Sequence, residues 1–309
     1  MRLLIAYDGS SYAIEAIDDL THAALPKDTE AVVMTVADVF LPPERTSDDA
    51  LPPVDNLVRR ARARVARALE DAARFAETGR DHVCARFPSW KVEALTCADS
   101  PAWGIIKKAE AWNADLVVVG SQGHSALARL MLGSVSQKIL NEVPCSVRIG
   151  RARRKTGSPL RIMIGVDGSA RSEEAVRRVA ARAWPAGTEA RAVAVLDLKV
   201  ATLLSAMESA AALWVRESDG DETAWVRRMA ELSAESLRET GLSASSAVLE
   251  GDPRRALLEE AARWEADCIF VGATGLGAFE RLLLGTVSAA VAGRAHCSVE
   301  VVRPPRERG

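Results

Sequence analysis

Short, uniformly apolar runs alternate along the chain with longer stretches in which apolar residues return every three or four positions. Leu3 to Tyr7 is a run of the first kind, and Ala31 to Val36, Leu116 to Val119 and Cys145 to Ile149 are the second, fourth and fifth strands. Strands covered on both faces of a parallel sheet read this way, because neither face is left to water. Val92 to Leu95 supplies a further strand between the second and the fourth. Ser10 stands where a helix cap belongs, before a segment reaching about Ala24 with Ile14, Ile17, Leu20 and Ala24 on one side. Leu57 to Thr78 carries a helical stripe of Leu57, Ala61, Val65, Ala68, Leu69, Ala72, Phe75 and Ala76. Ser100 and Pro101 form a helix start with proline in the first helical position, and a last helix follows Gly133. Strand and helix in alternation predict a parallel sheet with helices on both faces.

The whole pattern then repeats. LLIAYDGSSYAIEAI from Leu3 returns as IMIGVDGSARSEEAV from Ile162, and AWNADLVVVGSQG from Ala111 returns as RWEADCIFVGATG from Arg263. ARLMLGSVS from Ala128 and PCSVRI from Pro144 return as ERLLLGTVS from Glu280 and HCSVEV from His296. Asp167 lies 159 positions after Asp8, whereas Gly272 lies 152 after Gly120, so the second copy is shorter by a net seven residues. Four collinear matches identify a duplication. Two domains are expected, 1–150 and 160–309, joined by a linker over 151–159. Gly157, Ser158 and Pro159 break regular structure there, and Arg151, Arg153, Arg154 and Lys155 read as solvated linker residues.

Composition narrows the class. A net charge of −2 gives no general pull toward nucleic acid or an anionic membrane. No apolar run is long enough to span a bilayer, and the one before Asp8 is too short for a signal-peptide core. Five cysteines without a CxxC pair argue against a secreted disulfide framework, so a soluble cytoplasmic protein is expected. Arg59, Arg60, Arg62, Arg64, Arg67 and Arg74 on the long helix alternate with Glu70, Asp71 and Glu77 and read as a solvated face. The proline-rich stretch from Leu41 to Asp55 reads as an extended connector, with a lid over the site as the alternative. His22, His82, His124 and His296 lack metal-ligand spacing, and neither a Walker A lysine nor a GxSxG elbow is present. His124 beside Gly123 is either a solvated loop residue or a phosphate contact, and Trp112 and Trp264 are expected to pack between helix and sheet.

The chemistry lies after the fourth strand. Gly120, Gly123, Gly133 and Ser134 in the first copy, and Gly272, Gly275, Gly285 and Thr286 in the second, keep the spacing G-x2-G-x9-G-[ST]. Glycines admit positive φ and close backbone approach, so successive amides can point at a phosphate. The helix after the third glycine adds free amides and the positive end of its dipole. Ser134 and Thr286 either donate a hydroxyl to phosphate or cap that helix. Asp8 and Asp167 end the first strand of each copy. They either cap the next helix or serve a ligand through a ribose hydroxyl or Mg2+.

Both halves, with their DGS starts at Asp8 and Asp167 and their paired glycine loops, resemble the universal stress protein family over essentially the whole chain. The resemblance implies an α/β fold of two tandem five-stranded parallel, doubly wound sheets of strand order 3-2-1-4-5. It also implies ATP, with Mg2+, at the ends of the first and fourth strands. Phosphates would then lie against Gly120, Gly123, Gly133 and Ser134, or against Gly272, Gly275, Gly285 and Thr286. Asp8 and Asp167 would lie near ribose and metal, and the backbone at Val36 and Val195 near adenine. Gln122 and Thr274 stand where the family often has a basic residue, which would weaken phosphate binding, and the bulk of Tyr7 would narrow the first site. Family members commonly pair their fifth strands antiparallel. Here those strands differ at Arg148 and Glu300, which predicts an internal pseudo-dimer favoured by opposite charges. The function implied is a stress-response sensor or switch rather than an enzyme. The alternatives are an interaction module without nucleotide, or a slow ATPase.

Overall fold

The computed structural model describes residues 1–39, 55–123, 132–152, 157–196, 222–275 and 284–305. Most of Leu41 to Asp55, together with His124 and Arg153 to Lys155, lies outside them. The first half runs β1 (Arg2–Ala6), α1 (Ser11–Asp19), β2 (Glu30–Ala37), α2 (Asp55–Arg86), β3 (Lys91–Ala98), α3 (Pro101–Ala111), β4 (Leu116–Gly120), α4 (Ser134–Glu142) and β5 (Ser146–Gly150). The second runs β6 (Arg161–Val166), α5 (Ala170–Ala180), β7 (Glu189–Leu196), α6 (Glu222–Glu239), β8 (Ser243–Glu250), α7 (Pro253–Arg263), β9 (Cys268–Gly272), α8 (Thr286–Arg294) and β10 (Ser298–Val302).

All of these strands join one sheet of order β3-β2-β1-β4-β5-β10-β9-β6-β7-β8. Each half therefore has the order 3-2-1-4-5, parallel throughout, and the halves meet where β5 and β10 pair antiparallel. Two helices depart from their expected bounds, α2 running past them and α1 falling short. α2 continues past Gly79 because that residue's missing side chain makes room: a Cβ there would meet Val33 at 2.8 Å and the Tyr7 ring at 2.9 Å. A breaker in sequence is thus a packing notch in space. α1 instead stops at Asp19 and passes through a 3₁₀ turn, Leu20–His22, before Ala24 adopts φ 49°. Arg59, Arg60, Arg62, Arg64, Arg67 and Arg74 of α2 are exposed, as their pattern implies, and no disulfide joins any of the five cysteines.

The two faces of the sheet are built differently. Under α3, α4, α7 and α8 one apolar core crosses the seam, running from Leu4 and Val117 through Val147 and Val299 to Ile269 and Met163. Trp112 and Trp264 pack against it. Under α1, α2, α5 and α6 the core is split in two, one part around Leu3, Ile5 and Ile17 and the other around Ile162, Ile164 and Phe270. Charge occupies the gap between them.

Arg148 and Glu300 are directly opposite in the β5–β10 register, and both are 0% exposed. Arg148 donates from Nε and Nη2 to Asp19 at 2.6 and 3.1 Å, and from Nη1 to Glu300 Oε2 at 3.2 Å. Arg182 of the second half pairs with the other Glu300 oxygen, and Ser298 Oγ donates to Asp19 at 2.7 Å. Two cations and two anions form a closed, buried set. Each half supplies its own counter-ion, Asp19 for Arg148 and Arg182 for Glu300. The halves are therefore matched by the Nη1–Oε2 hydrogen bond rather than by gross charge. Pairing two first halves would face donor with donor, and pairing two second halves acceptor with acceptor, with no water to relieve either.

A second set of contacts, joined to this cluster through Ser298, corrects the reading of Arg151 as a solvated linker residue. Its amide donates to Ser298 Oγ at 3.0 Å, and its guanidinium to Cys297 O at 3.1 Å and Ala292 O at 2.7 Å. Arg303 repeats this in reverse, on Ser146 Oγ at 3.1 Å, Cys145 O at 3.3 Å and Leu140 O at 2.7 Å. Each half thus sends one arginine across the seam to the carbonyls behind the other half's last helix.

Two expectations follow. Arg148→Met strands Asp19 in the core, and urea unfolding should show a loss of about 3–5 kcal/mol. Adding Asp19→Asn should recover part of it, because the stranded charge goes too. Burial opposes the charged form of Glu300, but Arg182 and Arg148 outweigh it and hold the carboxyl below its ordinary value. Its stabilising contribution is then complete above the ordinary glutamate pKa of about 4.3 and fades as pH falls through the lower folded value. The acid limb of stability against pH should flatten in Glu300→Gln; an unchanged limb would remove Glu300 from that account.

Candidate functional site

Around β1 the connections diverge, with β2 paired on one side and β4 on the other. Open parallel sheets leave a crevice at the carboxyl ends of such strands. In the first half it is a cavity of about 480 Å³, within the usual range for a small-molecule site. Its apolar wall is Ala6, Met34, Val36, Ile105 and Val119, and its polar rim includes Asp8, Gly123, Gly133 and Ser134.

Ser10, not Asp8, caps α1: its Oγ accepts from Ala13 N at 3.2 Å. Asp8 Oδ1 accepts from Ser10 N at 3.0 Å across a turn in which Gly9 takes φ 79°. The other oxygen, Oδ2, faces the loop, 2.8 Å from where a Cβ on Gly123 would stand. The second half repeats the arrangement. Ser169 caps α5, Asp167 Oδ1 accepts from Ser169 N at 3.0 Å, and Oδ2 lies closer still to a Cβ built on Gly275. Strand-end acid and loop are therefore in contact in both halves, and capping does not account for either aspartate.

Of the two expected reasons for the glycines, positive φ does not apply, since none of the six adopts it, and close approach holds most clearly at Gly120 and Gly272. A Cβ on Gly120 would sit 2.8 Å from the Tyr12 carbonyl oxygen of α1, and one on Gly272 2.8 Å from the Arg171 backbone. Gly133 and Gly285 are N-caps of extended conformation, φ −63° and −67°, and provide no side-chain cap. Their amides close the loop, Gly133 N on Ser121 O at 2.9 Å and Gly285 N on Ala273 O at 2.7 Å. Ser134 and Thr286 are the first helical residues and exposed, so they do not cap either helix. The first turns of α4 and α8 thus carry no side-chain cap at the cavity rim.

Sequence reasoning passed over Ser136 and Ser288. Their hydroxyls donate to Gly120 O at 2.8 Å and Gly272 O at 2.5 Å, pinning the first turn of the last helix to the end of the fourth strand. The serine that closes both GSVS and GTVS was the available signal. Gln122 and Thr274 are buried, 6% and 2% exposed, rather than set on the rim where a basic residue would meet phosphate. Thr274 Oγ1 has no hydrogen-bond partner among the described residues. Tyr7 packs with Leu3, Ile5 and Val33 on the α2 side and is also one of the residues lining the cavity. Val36 and Val195 are half-buried at the ends of β2 and β7, both against the core under α3 and α7. Among the described residues no group of three or more His, Cys, Asp or Glu could hold a metal ion.

These contacts separate packing glycines from loop glycines. Gly120→Ala drives a methyl into α1 backbone and should lower stability by about 1–3 kcal/mol. In Gly133→Ala the nearest atom, Gln122 Cα, is 3.4 Å away, and thermal melting should change little. Equal losses in the two variants would contradict this division.

Comparison with known proteins places the chain. The model of the universal stress protein family matches residues 1–151 and again 160–303. A universal stress protein of Mycolicibacterium smegmatis is 31% identical over 194 residues, covering 62% of this chain and 63% of that one, short of two thirds of its length. Universal stress protein MJ0531 of Methanocaldococcus jannaschii is 33% identical over 153 residues, 48% of this chain and 84% of the relative. A solved universal stress protein of Archaeoglobus fulgidus superimposes with a TM-score of 0.60 at 21% identity, with 98% of each chain covered, and so shares the fold. No helix among the described residues is long and apolar enough to cross a membrane. With two family domains in one chain, the protein belongs to the universal stress protein family.

Proposed function

We propose that each half, 1–150 and 160–309, is an adenine-nucleotide site and that the chain is an ATP-responsive switch rather than an enzyme. The observation that carries this reading is the convergence at one cavity of a helix start without a side-chain cap, a strand-end acid and an apolar slot. Phosphates are assigned to the amides of Gly123 and Ser134, beside Gly133, whose own amide closes the loop on Ser121 O, where the start of the helix and its dipole favour an anion. The slot between Met34, Val36 and Ile105 suits a flat apolar base, with the backbone at Val36 near adenine. Asp8 is the acid among the cavity's lining residues, which suits a ribose hydroxyl, or Mg2+ that the phosphates also bind. In the second half Gly272, Gly275, Gly285, Thr286, Asp167 and Val195 take the same roles.

Gly120 and Gly272 serve indirectly, letting the first and fifth helices close on the strand end so that the loop is correctly placed. The nucleotide would select one arrangement of loops and helix starts, and thereby alter which surface a partner protein meets. Regulation suits such a site better than turnover, because apart from Asp8 its described lining holds no carboxylate or imidazole to act as a base.

Calorimetry of the full chain with Mg-ATP tests the assignment. Two equivalents should bind to the wild type and one to each of Gly123→Val and Gly275→Val, with melting temperatures compared as the folding control. No heat of binding in the wild type would overturn the nucleotide reading and leave a tandem interaction module.

A further inference from the structure

Each half's loop helix begins at its own glycine loop and ends at an arginine of the other half. α4 is nine residues long, about 13 Å from end to end. Its start is the loop of the first half, and its last turn contains no basic residue and includes Glu142. The cation at that negative end comes from the second half: Arg303, 7% exposed, donates to Leu140 O at 2.7 Å and to Cys145 O at 3.3 Å. Arg151 stands in the same relation to α8, through Ala292 O at 2.7 Å and Cys297 O at 3.1 Å. Burial lowers the Arg303 pKa to about 10, so the guanidinium remains charged at neutral pH.

The opposite side of Arg303 is tied to its own half's loop. Ala273, between Gly272 and Thr274, donates from its amide to Val302 O at 2.9 Å, and its carbonyl accepts from Gly285 N at 2.7 Å. Arg303 is the next residue in the chain. A continuous series of hydrogen bonds therefore runs from the second half's loop through Ala273, Val302 and Arg303 to Leu140 and along α4 to the first half's loop. A cation at a helix C-terminus and an anion at its N-terminus both favour the same dipole.

We infer that Arg303 and Arg151 are positioning residues exchanged between the halves, each setting the loop helix of the half to which it does not belong and so linking the two nucleotide sites. The inference rests on the nucleotide reading for its ligand, but the mechanical link can be read without one. In full-length chains carrying Gly275→Val, which report the first site alone, Arg303→Met should raise the Mg-ATP Kd by about two- to thirtyfold. In chains carrying Gly123→Val it should leave the second site unchanged. Arg151→Met should give the reverse, and Arg303→Lys should recover part of the loss because the charge stays.

Amide hydrogen exchange on the same variants without nucleotide supplies the independent readout. Arg303→Met should speed exchange over 132–142 and spare 284–294, and Arg151→Met should do the opposite. Crossed effects in both measurements support the exchange of positioning residues. Weakening confined to the arginine's own half, or spread equally over both, overturns it. If the wild type binds no Mg-ATP the site assignment fails, and the exchange pattern alone then decides the link between arginine and helix.

Discussion

Everything in this molecule depends on one antiparallel pairing in an otherwise parallel sheet. β5 and β10 join two halves that would each end in an open strand edge, and at the centre of that joint Arg148 lies opposite Glu300 with no access to water. A buried ion pair is seldom a net gain over well-packed apolar residues, since desolvation offsets most of the attraction. Its value here is selective. Asp19 and Arg182 already neutralise the two ions from within their own halves, so the Nη1–Oε2 bond is what distinguishes the correct partner. The apolar core on that face is interrupted to make room for it, while the core on the other face runs on unbroken.

The seam and the cavities are parts of one construction. α1 touches the seam through Asp19 and lies against the strand end through Tyr12, where Gly120 admits its backbone. α4 starts at the cavity rim and ends where Arg303 crosses from the second half. The loops are consequently placed by elements that also carry the joint, so neither loop is independent of how the halves meet. This follows from short helices: nine residues span only from the sheet's carboxyl edge to the level of the seam contacts.

Much of the fold was legible because each half repeats the same period changes, and because a parallel sheet of alternating strands and helices permits few arrangements. The strand-end acids and the glycine loops were legible as a pattern. The reason for each glycine was not. Gly120 answers to a helix backbone more than a hundred positions earlier, and Gly79, which reads as a helix stop, answers to the Tyr7 ring. Arg151 read as linker because nothing local distinguishes an arginine reaching Ala292 from one reaching solvent. Its equivalence to Arg303 was present in the alignment of the repeats, 152 positions apart, but a lone basic residue after a strand carries no signal of its own. Ser136 and Ser288 were hidden in the same way, behind more familiar neighbours.

The seam combines two symmetries, and the combination explains why fusion of the halves is useful. Arg151 and Arg303 make the same contacts in both directions, as any pair of identical subunits related by a two-fold axis would. Taken alone, they would hold together two first halves as well as a first and a second. Arg148 and Glu300 break that equivalence, since a donor needs an acceptor and neither half carries both at this position. Symmetric struts provide the joint and the asymmetric pair restricts it to unlike halves. Once the halves differ in this way, a covalent linker keeps each partner at a fixed ratio and a high effective concentration, which separate chains would have to achieve by association. Thr274 and Gln122, placed alike in their loops but chemically distinct, show that the two loops have diverged as well. A fused unlike pair can hold two loops of different character on one sheet, which a homodimer of either half cannot.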